Sequence, residues 1–308
     1  MSADHSIPEM LLAAINRNPE WAGQPVTGAP VSGGINNENW RVKIGDSAPI
    51  FAKIPGLGTE ALVDRQMSLA AARQASEAGI SPRVLFFDEV SNVEFGEFVE
   101  DGFRASTTLD FQEGAAIEGV LGVYRALHGT ELFAVTKTLF DQAEEHLRQV
   151  EEDGIGLPSW SDEVLANYRE ACEAFAETGL ELVPAHNDPM PGDFLLRGDW
   201  EVRLIDFEFA ANNDASCEVG VFLAEMFVDP ERSRRLCAVY RGYDDEKFYA
   251  RVMLSRMIAD TKWGLWGLII HHLRDADFDY YKYGNWKLYR TFQIARHPDY
   301  RKWLKAAR

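Results

Sequence analysis

Residues 185–214 read AHNDPMPGDFLLRGDWEVRLIDFEFAANND, which sets seven carboxylates and a histidine around two short apolar runs. Acids on exposed loops ordinarily serve solvation, and an acidic surface hairpin would account for most of these. The placement of two of them asks for more. Residues 194–197 and 200–205 have the composition of two antiparallel strands joined by a tight turn at Gly198-Asp199, although Gly-Asp is a weaker turn signal than Asp-Gly. Paired strands lie about 4.8 Å apart. Asp193, just before the first strand, and Asp206, just after the second, are therefore expected to meet at the open end of the hairpin, with Asp188 on the loop leading in. Carboxylates held that close repel unless a cation or a shared proton lies between them, and a hard divalent ion with oxygen ligands is the natural guest.

Such groups need a frame. A chain of 308 residues, 46% hydrophobic and 26% charged, fits a soluble globular protein of one large or two medium domains. The 49 acids against 31 bases give a net charge of −18, which disfavours nucleic acid or an anionic membrane as partner and is compatible with a cationic small-molecule substrate. Cys172, Cys217 and Cys237 are odd in number and lack C-x-x-C spacing, as expected of buried thiols in a reducing compartment rather than a disulfide framework or zinc site. The N-terminus carries acids early and has no sustained apolar segment, and no run is long enough to span a bilayer. The expectation is a soluble, cytoplasmic protein without membrane insertion.

Organisation changes near residue 104. Before it the pattern is strand-rich: VSGGINNENWRVKI, APIFAKIPG, a helical stretch over residues 59–78, then PRVLFFDE and VEFGEFVE. From Thr107 onward helical periodicity dominates, interrupted mainly by the hairpin. This divides the chain into a small sheet-plus-helix lobe, residues 1–103, and a larger helical lobe, residues 104–308. The Gly33-Gly34-Ile35-Asn36-Asn37 segment between two extended stretches is either a hairpin turn or a backbone cradle for phosphates. Lys53, alternating with Phe51 on the next strand, turns inward or stays in solvent.

A glycine loop, a strand lysine, H-x-D-x-x-x-x-(N/D) and D-F-E in that order resemble the kinase-like phosphotransferases, here written HNDPMPGD at residues 186–193 and IDFE at 205–208. Within that superfamily GGINNENWRV, TEALVDR, AGISPRV, HNDPMPGDF and LIDFEFAANND look closest to choline and ethanolamine kinases, and the resemblance spans residues 30–290. It implies a bilobal α+β protein-kinase-like fold, with a nucleotide-binding N-lobe and a catalytic C-lobe, that uses ATP and Mg2+. Asp188 matches the catalytic aspartate that accepts the substrate hydroxyl's proton, and Asp206 the aspartate of the metal loop. Asp193 stands where an asparagine metal ligand is usual. Lys53 matches the basic residue on the α- and β-phosphates. Gly33, Gly34, Asn36 and Asn37 match the nucleotide loop, and Glu97, Phe98 and Val99 the connector that meets adenine.

The acceptor end is written in aromatics. Trp263 and Trp266 are i,i+3 and share a helix face, followed by Phe278, Tyr280, Tyr281, Tyr283 and Trp286. On spacing alone a core stripe is the better explanation of the two tryptophans. The resemblance implies that Trp263, Trp266, Phe278 and Tyr283 form a choline-binding wall, with Glu208 and Glu225 as its acidic members and Phe209 where a tyrosine is common. Ring faces plus carboxylates suit a quaternary ammonium, which offers no N–H donor.

The departures from the family pattern are specific. R-x-x-E on the small-lobe helix, whose glutamate pairs with the strand cation, reads Arg65-Gln66-Met67-Ser68, and Glu218 replaces the aspartate of NDxxxD. An impaired ligand-binding pseudokinase therefore stays open beside a choline or ethanolamine kinase, as does a kinase of another cationic alcohol such as thiamine or an aminoglycoside.

Overall fold

Antiparallel strands and two helices come first along the chain in the computed structural model, which describes residues 6–32, 37–56, 63–273 and 278–308. Helix α1 (Glu9–Arg17) precedes β1 (Val26–Val31), β2 (Asn37–Ile44) and β3 (Ile50–Pro55), followed by α2 (Arg65–Glu77), β4 (Val84–Asp88) and β5 (Val93–Glu97). The sheet has the order β1-β2-β3-β5-β4 with every neighbouring pair antiparallel. Period-two alternation sends Trp40, Val42 and Ile44 of β2 and Ile50, Ala52 and Ile54 of β3 to one face, where they meet Leu11, Ala14 and Ile15 of α1. Phe51 and Lys53, one residue out of phase, take the opposite face. Helix α2 begins at Arg65, where Asp64 accepts hydrogen bonds from the N–H groups of Gln66 and Met67; residues 59–62 of the expected helical stretch lie outside the described residues. Gly79 closes the other end at φ 75°.

The chain continues through β6 (Arg104–Ala105), α3 (Gly114–His128), α4 (Leu139–Glu152), α5 (Ser161–Ala176), β7 (Leu182–Ala185), β8 (Phe194–Leu196), β9 (Val202–Leu204) and β10 (Ala211–Asp214). It ends in α6 (Ala215–Glu225), α7 (Pro230–Arg241), α8 (Glu246–Leu273), α9 (Tyr280–Arg290), α10 (Phe292–Ala295) and α11 (Tyr300–Ala306). Two compact units result, Met1–Thr107 with Gly192–Phe209, and Thr108–Pro191 with Ala210–Arg308. Residues 192–209 thus belong with the first unit, although the sequence grouped them with residues 104–308. The reason is hydrogen bonding: β8 pairs with β6, and the Leu204 N–H donates to the Ile80 carbonyl at 2.8 Å.

The β8–β9 hairpin forms with Phe194 opposite Leu204, but its loop is longer than a Gly198-Asp199 turn. The Arg197 N–H donates to the Glu201 carbonyl at 3.0 Å, and Trp200 takes the left-handed conformation at φ 63°. Arg197 pairs with Asp199 and Glu201 across this loop, which lets side-chain charge set the turn where Gly-Asp could not.

In the second unit β7 pairs with β10, and α8 is buried almost throughout from Phe248 to Ile270. A helix buried on every side must lie inside other elements. Leu265, Leu268 and Ile269 of α8 pack with Val150, Val164, Leu288 and Phe292. Among the described residues no helix is long and apolar enough to cross a membrane. Helices α8 and α9 approach so closely that a Cβ on Gly284 would lie 2.8 Å from the Gly264 carbonyl oxygen and 3.0 Å from the Leu268 backbone nitrogen. Backbone cannot yield as a side chain can, so Gly284→Ala is expected to cost about 1–3 kcal/mol of stability. An unchanged urea midpoint would show that α9 can shift freely.

Candidate functional site

In the first unit the Ile205 N–H donates to the Asp193 carbonyl at 2.9 Å, one rung beyond the Phe194–Leu204 pair. That rung sets Asp193 and Asp206 on the two arms at the hairpin's open end. Asp206 has φ 67°, a left-handed conformation that aspartate tolerates better than most residues. Its Oδ1 lies 2.6 Å from Lys53 Nζ, and Glu208 Oε1 lies 3.2 Å from the same ammonium. Glu208 also accepts from Arg65 at 2.5 Å and from the Asn37 amide at 2.8 Å. Across the sheet Lys53 stands in register with Glu94 of β5, so both side chains rise on one face. Burial works to lower the Lys53 pKa, but Asp206, Glu208 and Glu94 outweigh it and hold the ammonium above its ordinary value. Glu94 itself is pushed up by burial against the pull of Lys53.

The glutamate missing at Ser68 is thus replaced by carboxylates from other elements. Ser68 is buried and lines a small hollow with Lys53, Arg65 and Glu94. Beside it opens a cavity of about 630 Å³, whose walls include Lys53, Asp193 and Asp206 as well as Glu97, Phe98 and Val99 after β5. Its size and mixed lining suit a nucleotide-sized ligand. Gly33, Gly34 and Asn36 lie outside the described residues. Among the described residues no group of three or more His, Cys, Asp or Glu gathers for a metal. A pair such as Asp193 and Asp206 is still the donor set that suits Mg2+, which commonly takes one or two carboxylates and completes its shell with phosphate and water.

In the second unit the loop after β7 is held by backbone capture. Glu218 of α6, fully buried, accepts from the His186 N–H at 2.6 Å and the Asn187 N–H at 3.1 Å. Asn187 adopts φ 68°; its Oδ1 accepts from Asn213 Nδ2 at 2.8 Å and its own amide donates to the Ala211 carbonyl at 3.2 Å. Asp188 follows, half-buried. Sequence reasoning had Glu218 only as a departure and did not single out Asn213. The adjacent amides in AANND were the available signal, since such side chains close loops onto backbone.

The aromatic residues gather on α8 and α9. Trp263 and Trp266 meet edge to face with centroids 5.6 Å apart, Trp266 meets Tyr283 at 6.0 Å, and Phe278 meets Tyr283 at 6.0 Å. Trp263 is 7% exposed and Phe278 51%, so the cluster runs from core to surface. Glu225 is paired at 2.5 Å with both Lys287 and Arg290. Burial raises its pKa, but those two cations overcome the rise and keep it ionised. Glu208 and Phe209 belong to the first unit, where Glu208 is bonded as described above. Unforeseen in the sequence, Lys262 lies within the second unit with its ammonium 3.0 Å from the centre of the Trp263 ring.

The sequence pattern of the phosphotransferase enzyme family matches residues 27–252, and the chain belongs to that family. It is 22% identical over 291 residues to probable choline kinase 2 of Arabidopsis thaliana, covering 82% of this chain and 81% of that one. Among solved structures, a choline/ethanolamine kinase family protein from Mesorhizobium loti superposes with a TM-score of 0.85 at 24% identity, covering 97% of this chain and 98% of the other. A choline kinase from Streptococcus pneumoniae gives 0.72 at 18% identity, covering 87% and 94%. The α+β fold expected from the motif order, strands first and helices after, is the fold of these proteins.

Residue 68 offers a direct check on the carboxylates around Lys53. Ser68→Glu would add another acid to a hollow that already holds Glu94. It is expected to lower stability by about 1–3 kcal/mol without tightening ATP, as read by chemical denaturation and calorimetry. Tighter ATP binding would mean that Lys53 is held too loosely by Asp206 and Glu208.

Proposed function

We propose that this phosphotransferase is an ATP- and magnesium-dependent kinase that phosphorylates the hydroxyl of a small amino alcohol, choline or ethanolamine. The observation that carries the reading is the cavity of about 630 Å³ in the first unit, walled by Lys53, Asp193, Asp206 and residues 97–99. An ammonium and two half-buried carboxylates on one wall are the charges that bind a metal-complexed polyphosphate, and the neighbouring chain after β5 offers backbone to a planar base.

Asp188 accepts the proton of the acceptor hydroxyl as its oxygen attacks the γ-phosphorus. The bond to the β-phosphate oxygen breaks, and ADP leaves with that electron pair. Lys53 gives up part of its pairing with Asp206 to the α- and β-phosphates. A magnesium ion held by Asp193 and Asp206 would, when bound, neutralise charge on the transferring group. Glu218 and Asn213 act before chemistry, by fixing the backbone from which Asp188 projects. The aromatic cluster of α8 and α9 receives the ammonium end of the acceptor.

Asp188→Asn keeps the size of the side chain and removes its basicity, so turnover is expected to fall about 10²- to 10⁴-fold with ATP affinity nearly unchanged. Comparable turnover in the variant would remove Asp188 from this role. ATP binding to the native chain is also expected to strengthen on adding magnesium, and Asp206→Ala should abolish that gain. Tight ATP binding indifferent to magnesium would point to a nucleotide-binding protein without transfer.

A further inference from the structure

Lys262 immediately precedes Trp263 on α8 and is 2% exposed. A lysine this deep gives up its hydration and keeps its charge only through opposite charges or ring faces. The Trp263 face lies beneath its ammonium. Other groups act on it from several elements. Asp188, after β7, favours the charge, whereas Lys137, ahead of α4, and Lys287 of α9 oppose it. His146 of α4 donates from Nδ1 to the Lys262 carbonyl at 3.1 Å; burial, reinforced by Lys262, pulls its pKa down to about 3 and keeps it neutral. Tyr283 of α9 stays protonated, raised chiefly by burial. Glu225 of α6 and Asp260 of α8 are taken up by Lys287 and Arg290.

We propose that Lys262 is a specificity-determining residue of the acceptor site, a built-in cation that occupies the Trp263 face and weakens the hold of the aromatic wall on a quaternary ammonium. The inference rests on the amino-alcohol reading above. A ring face has one position of closest approach, and a second cation brought there meets like charge. Choline, which binds through its diffuse charge and has no N–H to offer a carboxylate, loses most from that competition.

The competition depends on pH. Burial, the largest cause, pulls the Lys262 pKa down to about 7. Below that value the ammonium is present and competes; above it the neutral amine leaves the ring face to the ligand. Choline affinity therefore rises as pH climbs from about 6 to about 8, one unit either side of the midpoint.

The test is calorimetric titration of choline chloride into the full chain, native, K262M and K262R, at three pH values across that window, with melting temperatures alongside. The native chain should tighten as pH rises. K262M should bind choline about 2- to 30-fold tighter than the native chain at the acid end, with little change across the window. K262R, whose charge does not titrate there, should stay weak throughout. If K262M binds no better than the native chain at acid pH while melting normally, or if K262R keeps the native pH slope, the proposal is overturned. Should K262M fail to fold, the K262R profile decides alone. Choline binding that ignores residue 262 sinks only this inference, while no binding in any of the chains at any pH sinks the amino-alcohol reading and this inference with it.

Discussion

Removing an ammonium from water costs several kcal/mol unless opposite charge replaces the lost hydration, and each compact unit buries lysine under that constraint. Lys53 in the first unit is surrounded by Asp206, Glu208 and Glu94, and their combined field more than offsets burial. Lys262 in the second has Asp188 as its favouring acid and two lysines against it, so burial prevails. Identical side chains thus become opposite devices. The first is a permanent cation suited to polyphosphate, and the second is a cation that can be lost near neutral pH.

The acids of residues 185–214 divide by the same logic. Asp199 and Glu201 pair with Arg197 and Arg203 around the hairpin turn. Glu208 is held by Lys53 and Arg65. Asp214 caps α6, accepting from the Ser216 N–H at 2.9 Å and the Glu181 N–H at 2.8 Å, and it also pairs with Arg251. These four are fasteners. Asp188, Asp193 and Asp206 stand at loop ends with half-buried side chains, and Asp206 also pairs with Lys53. Asn187 and Asp206 carry the local cost of left-handed backbone, about 1–3 kcal/mol at such sites, next to the groups assigned to chemistry.

Much of this was legible in the sequence because the relevant signals are local. Period-two alternation marked β2 and β3, the apolar runs marked the β8–β9 hairpin, and motif order marked the kinase-like fold. What sequence hid was set by distant partners. Nothing near Lys53 announces that Glu208, 155 positions later, will lie 3.2 Å from its ammonium, or that antiparallel register will bring Glu94 alongside. The attachment of residues 192–209 to the first unit depends on hydrogen bonds to Ile80 and β6, which no window of sequence contains. Lys262 stands beside Trp263 in the sequence, and only the burial of α8 on all sides makes it an internal charge.

The same distinction bears on how departures from a family pattern should be weighed. Ser68 and Glu218 each break a motif, and by sequence each counts toward an impaired enzyme. At Ser68 the lost carboxylate is made good by acids from a neighbouring strand and from the segment after the hairpin, so Lys53 remains oriented. At Glu218 the additional methylene still delivers a carboxylate to two consecutive backbone N–H groups, and the loop carrying Asp188 is held. A motif records one way of meeting an electrostatic or hydrogen-bonding requirement, and the requirement is what the fold conserves. A substitution weakens function only where no other element supplies the charge or the acceptor, and at residues 68 and 218 other groups supply both.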